Sequence, residues 1–376
     1  MSDHILTTHT GSLPRPEDLI QMKWAKGDGI PVDEQALAER VANKWGQMKR
    51  YFSYLFLVFA WPSLVYAEVP TVDIREWDVP YADSRPRDPY VAPDGRVWFC
   101  GQTGAYIAVL DPATGVFKKY DMEDNERPHN LIIDSNGTVW YAGNTQGYIG
   151  QLDPASGEIK KHAMPEGVRD PHTLVFDSKG DIWFTAQNSN YIGKFTISNG
   201  QVQIVEVPTA KARPYGIWMD SNDRPWVALF GTNKLATVDP KTFVIEEIVL
   251  PRGNTLPRRL AVTSDNTVWY VDYKAGYVGQ YNPANKAIEE WRLPGRDRSR
   301  PYGMIVDDHD QLWFVETGTH PNRLIGFDTR TKKVISQTGI PSGGGTVRHM
   351  MFHSASKIIW FGTDTNTVGR AKIPAQ

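Results

Sequence analysis

The stretch PHTLVFDSKGDIWFTAQNSNYIGK, residues 171–194, decides the fold. Apolar and polar residues alternate from His172 to Phe176, the polar text Asp177-Ser178-Lys179-Gly180 turns the chain, and a second alternating run passes through Trp183. Alternation at period two between turn residues reads as short antiparallel strands. A second turn leads to Tyr191-Ile192-Gly193, and the same text returns as Tyr148-Ile149-Gly150, Tyr277-Val278-Gly279 and Leu324-Ile325-Gly326. Turns such as Asp153-Pro154-Ala155-Ser156-Gly157 then open a fourth strand. Working outward, Trp98, Trp140, Trp183, Trp226, Trp269, Trp313 and Trp360 follow one another at spacings of 42, 43, 43, 43, 44 and 47 residues. Four short strands every 43 residues or so describe a propeller blade, and seven repeats predict an all-β, seven-bladed β-propeller of four-stranded blades. The last repeat lacks its outer strand. Ile74-Arg75-Glu76-Trp77-Asp78-Val79-Pro80 copies the outer-strand text Ile288-Glu289-Glu290-Trp291-Arg292-Leu293-Pro294, so residues 72–80 are expected to complete the last blade and close the ring. The Trp residues are expected to pack between neighbouring sheets.

Composition fits this reading. The 376 residues include 32 Gly and 26 Pro, and only 22% are charged. A net charge of −2 gives no broad field for nucleic acid or an anionic membrane, which excludes nucleic acid as an expected partner. A single cysteine, Cys100, excludes an intramolecular disulfide and any cysteine-built metal cluster, and its apolar surroundings predict a buried thiol. Residues 68–376 form the expected propeller domain. Before it, Met48-Lys49-Arg50 leads into the apolar run Tyr51–Ala67, with Pro62 and the ending Val65-Tyr66-Ala67. Residues 48–67 therefore read as a signal peptide, or a signal anchor if uncleaved, and imply a periplasmic or secreted protein with no membrane span after cleavage. Residues 1–47 carry two short helical patterns, a helical N-terminal extension. Their run from Ile5 to Pro16 resembles the opening of the catalytic barrel of cobalamin-independent methionine synthases, without the residues that family uses to hold zinc. This piece reads as a fragment fused upstream, or as a mis-placed start.

In an up-and-down blade the first strand begins, and the second ends, at one rim. The first-strand positions there are Arg87, His129, His172, Tyr215, Arg258, Tyr302 and His349, and the second-strand positions are Gly101, Gly143, Ala186, Leu229, Asp272, Glu316 and Thr363. Arg85, Arg127, Asp170, Arg213, Arg300 and Arg348 stand just ahead. A polar, titratable funnel rich in guanidinium suits a small-molecule substrate or an anionic ligand, because Arg offers paired donors in a fixed fork. Arg87, Tyr215, Arg258, Tyr302 and His349 are the expected ligand contacts.

Text of the form Pro-His-x-Leu, Asp-x-x-Gly-x-Ile-Trp-Phe-Thr and Tyr-Ile-Gly-Lys, best seen from Pro171 to Lys194, resembles the virginiamycin B lyase (streptogramin lyase) family of seven-bladed propellers over residues 72–376. The resemblance implies an antibiotic-resistance type of chemistry, eliminative ring opening of a cyclic ester with histidine as base and magnesium held by acidic side chains. In that family an acid two residues before the histidine, the histidine, a Glu fourteen residues after it and a histidine one blade earlier act together. Asp170, His172 and His129 match three of these positions, but the fourteenth residue is Ala186. Glu316 occupies the corresponding position in another blade. The resemblance thus implies His172 as base, His129 as an orienting or acid group, Glu316 as a further catalytic group, and Asp170, Asp272 and Glu316 as magnesium contacts. The alternative is a non-catalytic propeller that binds an anionic ligand or a protein through its Arg-rich mouth. A calcium hydrolase of the gluconolactonase kind needs more ring carboxylates than the two present. A monomer is expected.

Overall fold

Alternating runs and frequent turn residues are realised as 28 strands and one short 3-10 turn in the computed structural model, which describes residues 69–123 and 125–374. The fragment read at 1–47 and the signal segment read at 48–67 lie outside the described residues. The strands form seven four-stranded antiparallel sheets. Six sheets use consecutive strands, from β2 (Pro86–Val91), β3 (Val97–Gly101), β4 (Tyr106–Leu110) and β5 (Phe117–Asp121) onward. The seventh combines β26 (Met350–His353), β27 (Ile358–Gly362) and β28 (Thr367–Lys372) with β1 (Asp73–Asp78). Asp73 pairs with Lys372 and Asp78 with Thr367, so the expected closing strand lies along the outer edge of the last blade. No helix among the described residues is long and apolar enough to cross a membrane.

Two sequence features explain how the blades hold together. The recurrent Trp residues are all buried, at 0–4% exposure, between neighbouring sheets. Trp140 of the second blade shares a cluster with Leu174, Phe184 and Phe195 of the third, and Trp269 of the fifth shares one with Met304, Phe314 and Phe327 of the sixth. In three blades the indole N–H also reaches the Asp that ends the first strand: Trp140 to Asp134 at 3.1 Å, Trp226 to Asp220 at 3.1 Å, and Trp313 to Asp307 at 2.9 Å. The other carboxylate oxygen caps the turn, as Asp307 does for the N–H groups of His309 and Gln311 at 2.9 Å each.

The glycine of the Tyr-Ile-Gly text lies beneath an aromatic ring of the adjacent strand. A Cβ on Gly150 would meet Tyr141 Cζ at 2.1 Å, one on Gly193 would meet Phe184 Cζ at 2.3 Å, and one on Gly279 would meet Tyr270 Cζ at 2.3 Å. Tyr270 cannot withdraw freely, because it is fully buried and donates to Glu290 at 2.7 Å. Gly279→Val is therefore expected to cost about 3 kcal/mol. Gly253→Ala, where nothing lies within 4 Å of the added carbon, should change stability by less than about 0.5 kcal/mol. Urea unfolding of the two variants measures this difference, and equal midpoints would contradict the packing account.

Candidate functional site

The first strands are irregular where they enter the mouth. In the third blade, formed by β10 (Pro171–Phe176), β11 (Ile182–Ala186), β12 (Tyr191–Thr196) and β13 (Gln201–Glu206), Pro171 pairs with Ala186 but Leu174 pairs with Phe184. His172 and Thr173 thus stand opposite Thr185 alone, a one-residue bulge that re-aims side chains. A one-residue shift also occurs within the four residues after Pro86, Pro128, Pro214, Pro257 and Pro301. In four blades two consecutive polar residues therefore stand at the mouth, Arg87-Asp88, His129-Asn130, His172-Thr173 and Arg258-Arg259.

The outer ring contains the residues expected from sequence. His129 and His172 stack with ring centres 3.8 Å apart, and His172 stands 4.1 Å from Tyr215. The Tyr215 and Tyr302 hydroxyls are hydrogen-bonded to one another. Arg258 lies over Tyr302 at 3.5 Å and over Tyr273 at 4.4 Å, Phe230 at 4.5 Å and Tyr215 at 5.1 Å. It is half-buried, whereas Tyr215 and Tyr302 are 4% and 1% exposed, so Arg258 is the outward member of the group. Arg258 Nε has no hydrogen-bond partner.

The inner ring was not legible from alternation. Its polar members are Asp88, Asn130, Thr173 and Arg259, all buried. Arg87 donates to Asp88 at 3.0 Å and to Gln102 at 3.1 Å. Asn130 donates to Asp88 at 3.0 Å and accepts from the Leu174 N–H at 2.8 Å. Arg259, on β18 (Pro257–Val262), crosses the channel to donate to Thr173 Oγ1 at 3.0 Å and the Arg348 carbonyl at 3.2 Å, and it lies 3.7 Å from Asp88. Asp88 has φ 50°, an uncommon conformation for a side-chain-bearing residue, and these partners hold it there. The signal for this ring was the polar pair after each proline, Arg87-Asp88, His129-Asn130, His172-Thr173 and Arg258-Arg259.

Two buried guanidinium groups, Arg87 and Arg259, lie against the carboxylate of Asp88, and Arg258 stands outside them over the tyrosines. Burial opposes ionisation of Asp88, but Arg87, His349, Arg259 and the Asn130 hydrogen bond hold it below the usual carboxylate range. Burial, reinforced by the arginines, pushes His129 and His172 well below the ordinary imidazole value and brings His349 down to about 3. All three histidines are neutral at pH 7. Their tautomers follow from their partners. His129 Nδ1 lies 3.0 Å from the His172 carbonyl, so it donates and leaves Nε2 as an acceptor. Thr173 Oγ1 accepts from Arg259 and lies 2.8 Å from His172 Nδ1; in the tautomer in which the hydroxyl donates to the ring, the His172 proton sits on Nε2. In that tautomer His172 offers an N–H, and His129 offers a lone pair.

The three carboxylates expected to hold magnesium are engaged within their own blades. Asp170 accepts from the N–H groups of Asn188 at 2.5 Å and Ser189 at 2.9 Å. Asp272 accepts from the Leu256 N–H at 3.0 Å and from Arg252 at 2.8 Å. Glu316 accepts from the Gly295 N–H at 2.7 Å and from Arg323 at 2.5 Å. They face the rim loops opposite the prolines rather than the histidines. No group of three or more His, Cys, Asp or Glu is arranged for a metal ion among the described residues. Asp88 is already surrounded by cationic and amide donors. The residues present thus do not fit a divalent cation, whereas Arg258, Arg87 and Arg259 each keep one buried guanidinium nitrogen without a hydrogen-bond partner. Cys100 is fully buried, and burial pushes its thiol well up. A hollow of about 290 Å³ lies at the opposite rim, lined by Asp94, Asn136 and Asp153, whose carboxylates and amide belong to local turns.

Together these features define a closed seven-bladed propeller with a buried, cation-rich polar site at one end of its channel. The chain belongs to the virginiamycin B lyase family, whose model matches residues 72–371. It is similar to the virginiamycin B lyase of Staphylococcus aureus, with 22% identity, a TM-score of 0.73, and 80% of this chain and 99% of that one covered. A catalytically inactive histidine-to-alanine variant of that lyase with quinupristin matches equally, at 22% identity and a TM-score of 0.73 over 80% of this chain and 99% of that one. An extracellular domain from B. thetaiotaomicron is similar at 15% identity and a TM-score of 0.62, covering 80% of this chain and 42% of that one. At these identities the structural likenesses show the fold. No curated protein matches the sequence. Around His172 the family pattern meets Asp170 and His129 but Ala186 at the fourteenth position, and around His349 it meets Val347, Thr363 and Tyr302.

The neutral histidines make stability depend on pH. Their folded values lie below the unfolded value of about 6.5, so the stability they contribute is present above pH 6.5 and is lost as pH falls toward the folded values. Each should remove about 1.4 kcal/mol per pH unit across that window. Urea unfolding between about pH 6 and pH 5, where most carboxylates stay ionised, measures the slope. His349→Gln should flatten it by one histidine's share, and an unchanged slope would show His349 to be protonated in the folded protein.

Proposed function

We propose that this chain is an exported, lyase-like enzyme that opens a cyclic ester or a related small molecule by elimination at the Arg258 mouth. Family membership supports the reaction class, and the extracellular setting of the B. thetaiotaomicron domain agrees with export. The observation that carries the reading is the partly exposed Arg258 guanidinium, with a free Nε, set over the paired phenols and beside the neutral imidazoles. In the elimination, a proton leaves the carbon next to a carbonyl, the C–O bond one carbon further breaks, and the ester oxygen departs as a carboxylate. His172 Nε2–H can donate to the carbonyl oxygen as charge builds there. Arg258 receives the departing carboxylate with paired donors, and Arg87 and Arg259 strengthen the same field. Burial of the ring keeps bulk water from the acyl carbon and so favours elimination over hydrolysis.

The test is mass spectrometry of a B-type streptogramin incubated with the full-length protein. The expected product is ring-opened with unchanged mass, and turnover is expected to persist in chelator because guanidinium supplies the positive charge. Arg258→Met should lower the rate about 10²- to 10³-fold. A product heavier by one water would mean hydrolysis. Intact antibiotic from folded protein would reject this substrate class in favour of non-catalytic anion binding.

A further inference from the structure

The arginine field sets a condition on the base. An imidazole that accepts a proton becomes a cation, and that change is opposed at all three mouth histidines, first by burial and then by Arg87 and Arg259, with Arg258 adding to it at His172. A phenolate that accepts a proton becomes neutral, and the same field stabilises its anionic form.

We infer that Tyr215, paired with Tyr302 beneath Arg258, is the proton-accepting group of this mouth, and that its substrate carries an acidic C–H beside a carbonyl. This rests on the eliminative reading above and names its base. Tyr215 is on β14 (Pro214–Met219) and is faced by charged or titratable groups from every neighbouring element. His172 stacks on it from β10 at 4.1 Å, and Arg258 and Arg259 lie over its ring from β18 at 5.1 and 5.2 Å. Tyr302, on β22 (Pro301–Val306), is hydrogen-bonded to its hydroxyl, and Arg258 Nη2 donates to that oxygen at 3.4 Å. Arg87 on β2 acts on it through the field, and Tyr273 lies against Tyr302 and Arg258. Burial pushes the Tyr215 hydroxyl up, but Arg258, Arg259, Arg87 and the Tyr302 hydrogen bond outweigh it and bring the group to about 8. Tyr302 is moved the other way, by burial and then by Tyr215, so it remains the neutral donor of the pair.

The step balances without a co-reactant. Tyr215 Oη takes the proton, the C–H electron pair becomes the new carbon–carbon double bond, and the C–O pair leaves with the carboxylate held by Arg258. The phenol then returns its proton to solvent. A base titrating near the working pH is also the more effective kind.

The experiment has two readouts. In a pH titration of the full-length protein followed by phenolate absorbance, one tyrosine should ionise near pH 8. That transition should vanish in Tyr215→Phe, and move to higher pH in Tyr302→Phe and in Arg258→Met, each losing a group that favours the anion. With the streptogramin, Tyr215→Phe should lower kcat about 10²- to 10⁴-fold with KM little changed, whereas His129→Asn should keep the rising alkaline limb of the pH–rate profile. Absence of a low-titrating tyrosine in the unmodified protein overturns the assignment, and so does an unchanged kcat in Tyr215→Phe. The titration needs no substrate, so an intact antibiotic would sink the reaction while the phenolate is judged on its own.

Discussion

Arg259 starts in the fifth blade and reaches the third through Thr173, the seventh through the Arg348 carbonyl and the first through the field of Asp88. A guanidinium at 2% exposure would be costly alone, so its position requires those partners to stand where they do. Gly216 is part of that requirement, since a Cβ there would meet the Arg259 Cα at 2.9 Å and Cδ at 3.2 Å. The strut also orders the chemistry of the mouth. By donating to Thr173 Oγ1 it holds the hydroxyl that lies against His172 Nδ1. Burial keeps the three histidines neutral, the Arg259 charge adds to that effect, and the same charge favours an anion on Tyr215.

Strand placement and ring closure were legible because they rest on local rules. Alternation, turn residues and the outer-strand copy around Trp77 each act within a few residues, and every one agrees with the observed sheets. The outer ring at the mouth was legible for the same reason, since the distance from each proline to the rim is constant. The inner ring was not, because a bulge breaks the alternation on which face assignment depends. Asp88 and Arg259 would face away from the channel in a regular strand, yet they hold its centre.

The carboxylates show a different limit. Asp272 and Glu316 occur at the right distance along their strands, but distance along a strand does not say which donors compete for a side chain. Each meets a backbone N–H of the preceding loop and an arginine of its own blade, Arg252 or Arg323. Arg252 lies in a loop twenty residues before Asp272, where no spacing rule pairs it with the rim, whereas Arg323 stands directly opposite Glu316 across a hairpin. The pairing that decides the role of Asp272 is tertiary, and that of Glu316 is set by strand register.

The family pattern and this mouth pose one electrostatic problem with two arrangements of charge. Elimination builds negative charge at a carbonyl oxygen and on a departing oxygen, and something positive must meet it. Carboxylates at the rim can gather a metal cation for that purpose. Here Ala186 stands at one acidic position around His172, Asp170 at the other is engaged by backbone N–H groups, and in the proposed reaction the positive charge is supplied by Arg87, Arg258 and Arg259. The substitution has a consequence for the base. Burial, and after it the fixed cations, lower the proton affinity of an imidazole in this mouth. A phenol moves in the opposite sense under the same charges. The Tyr215–Tyr302 pair is therefore the arrangement in which a guanidinium-lined mouth retains both a charge stabiliser and a base.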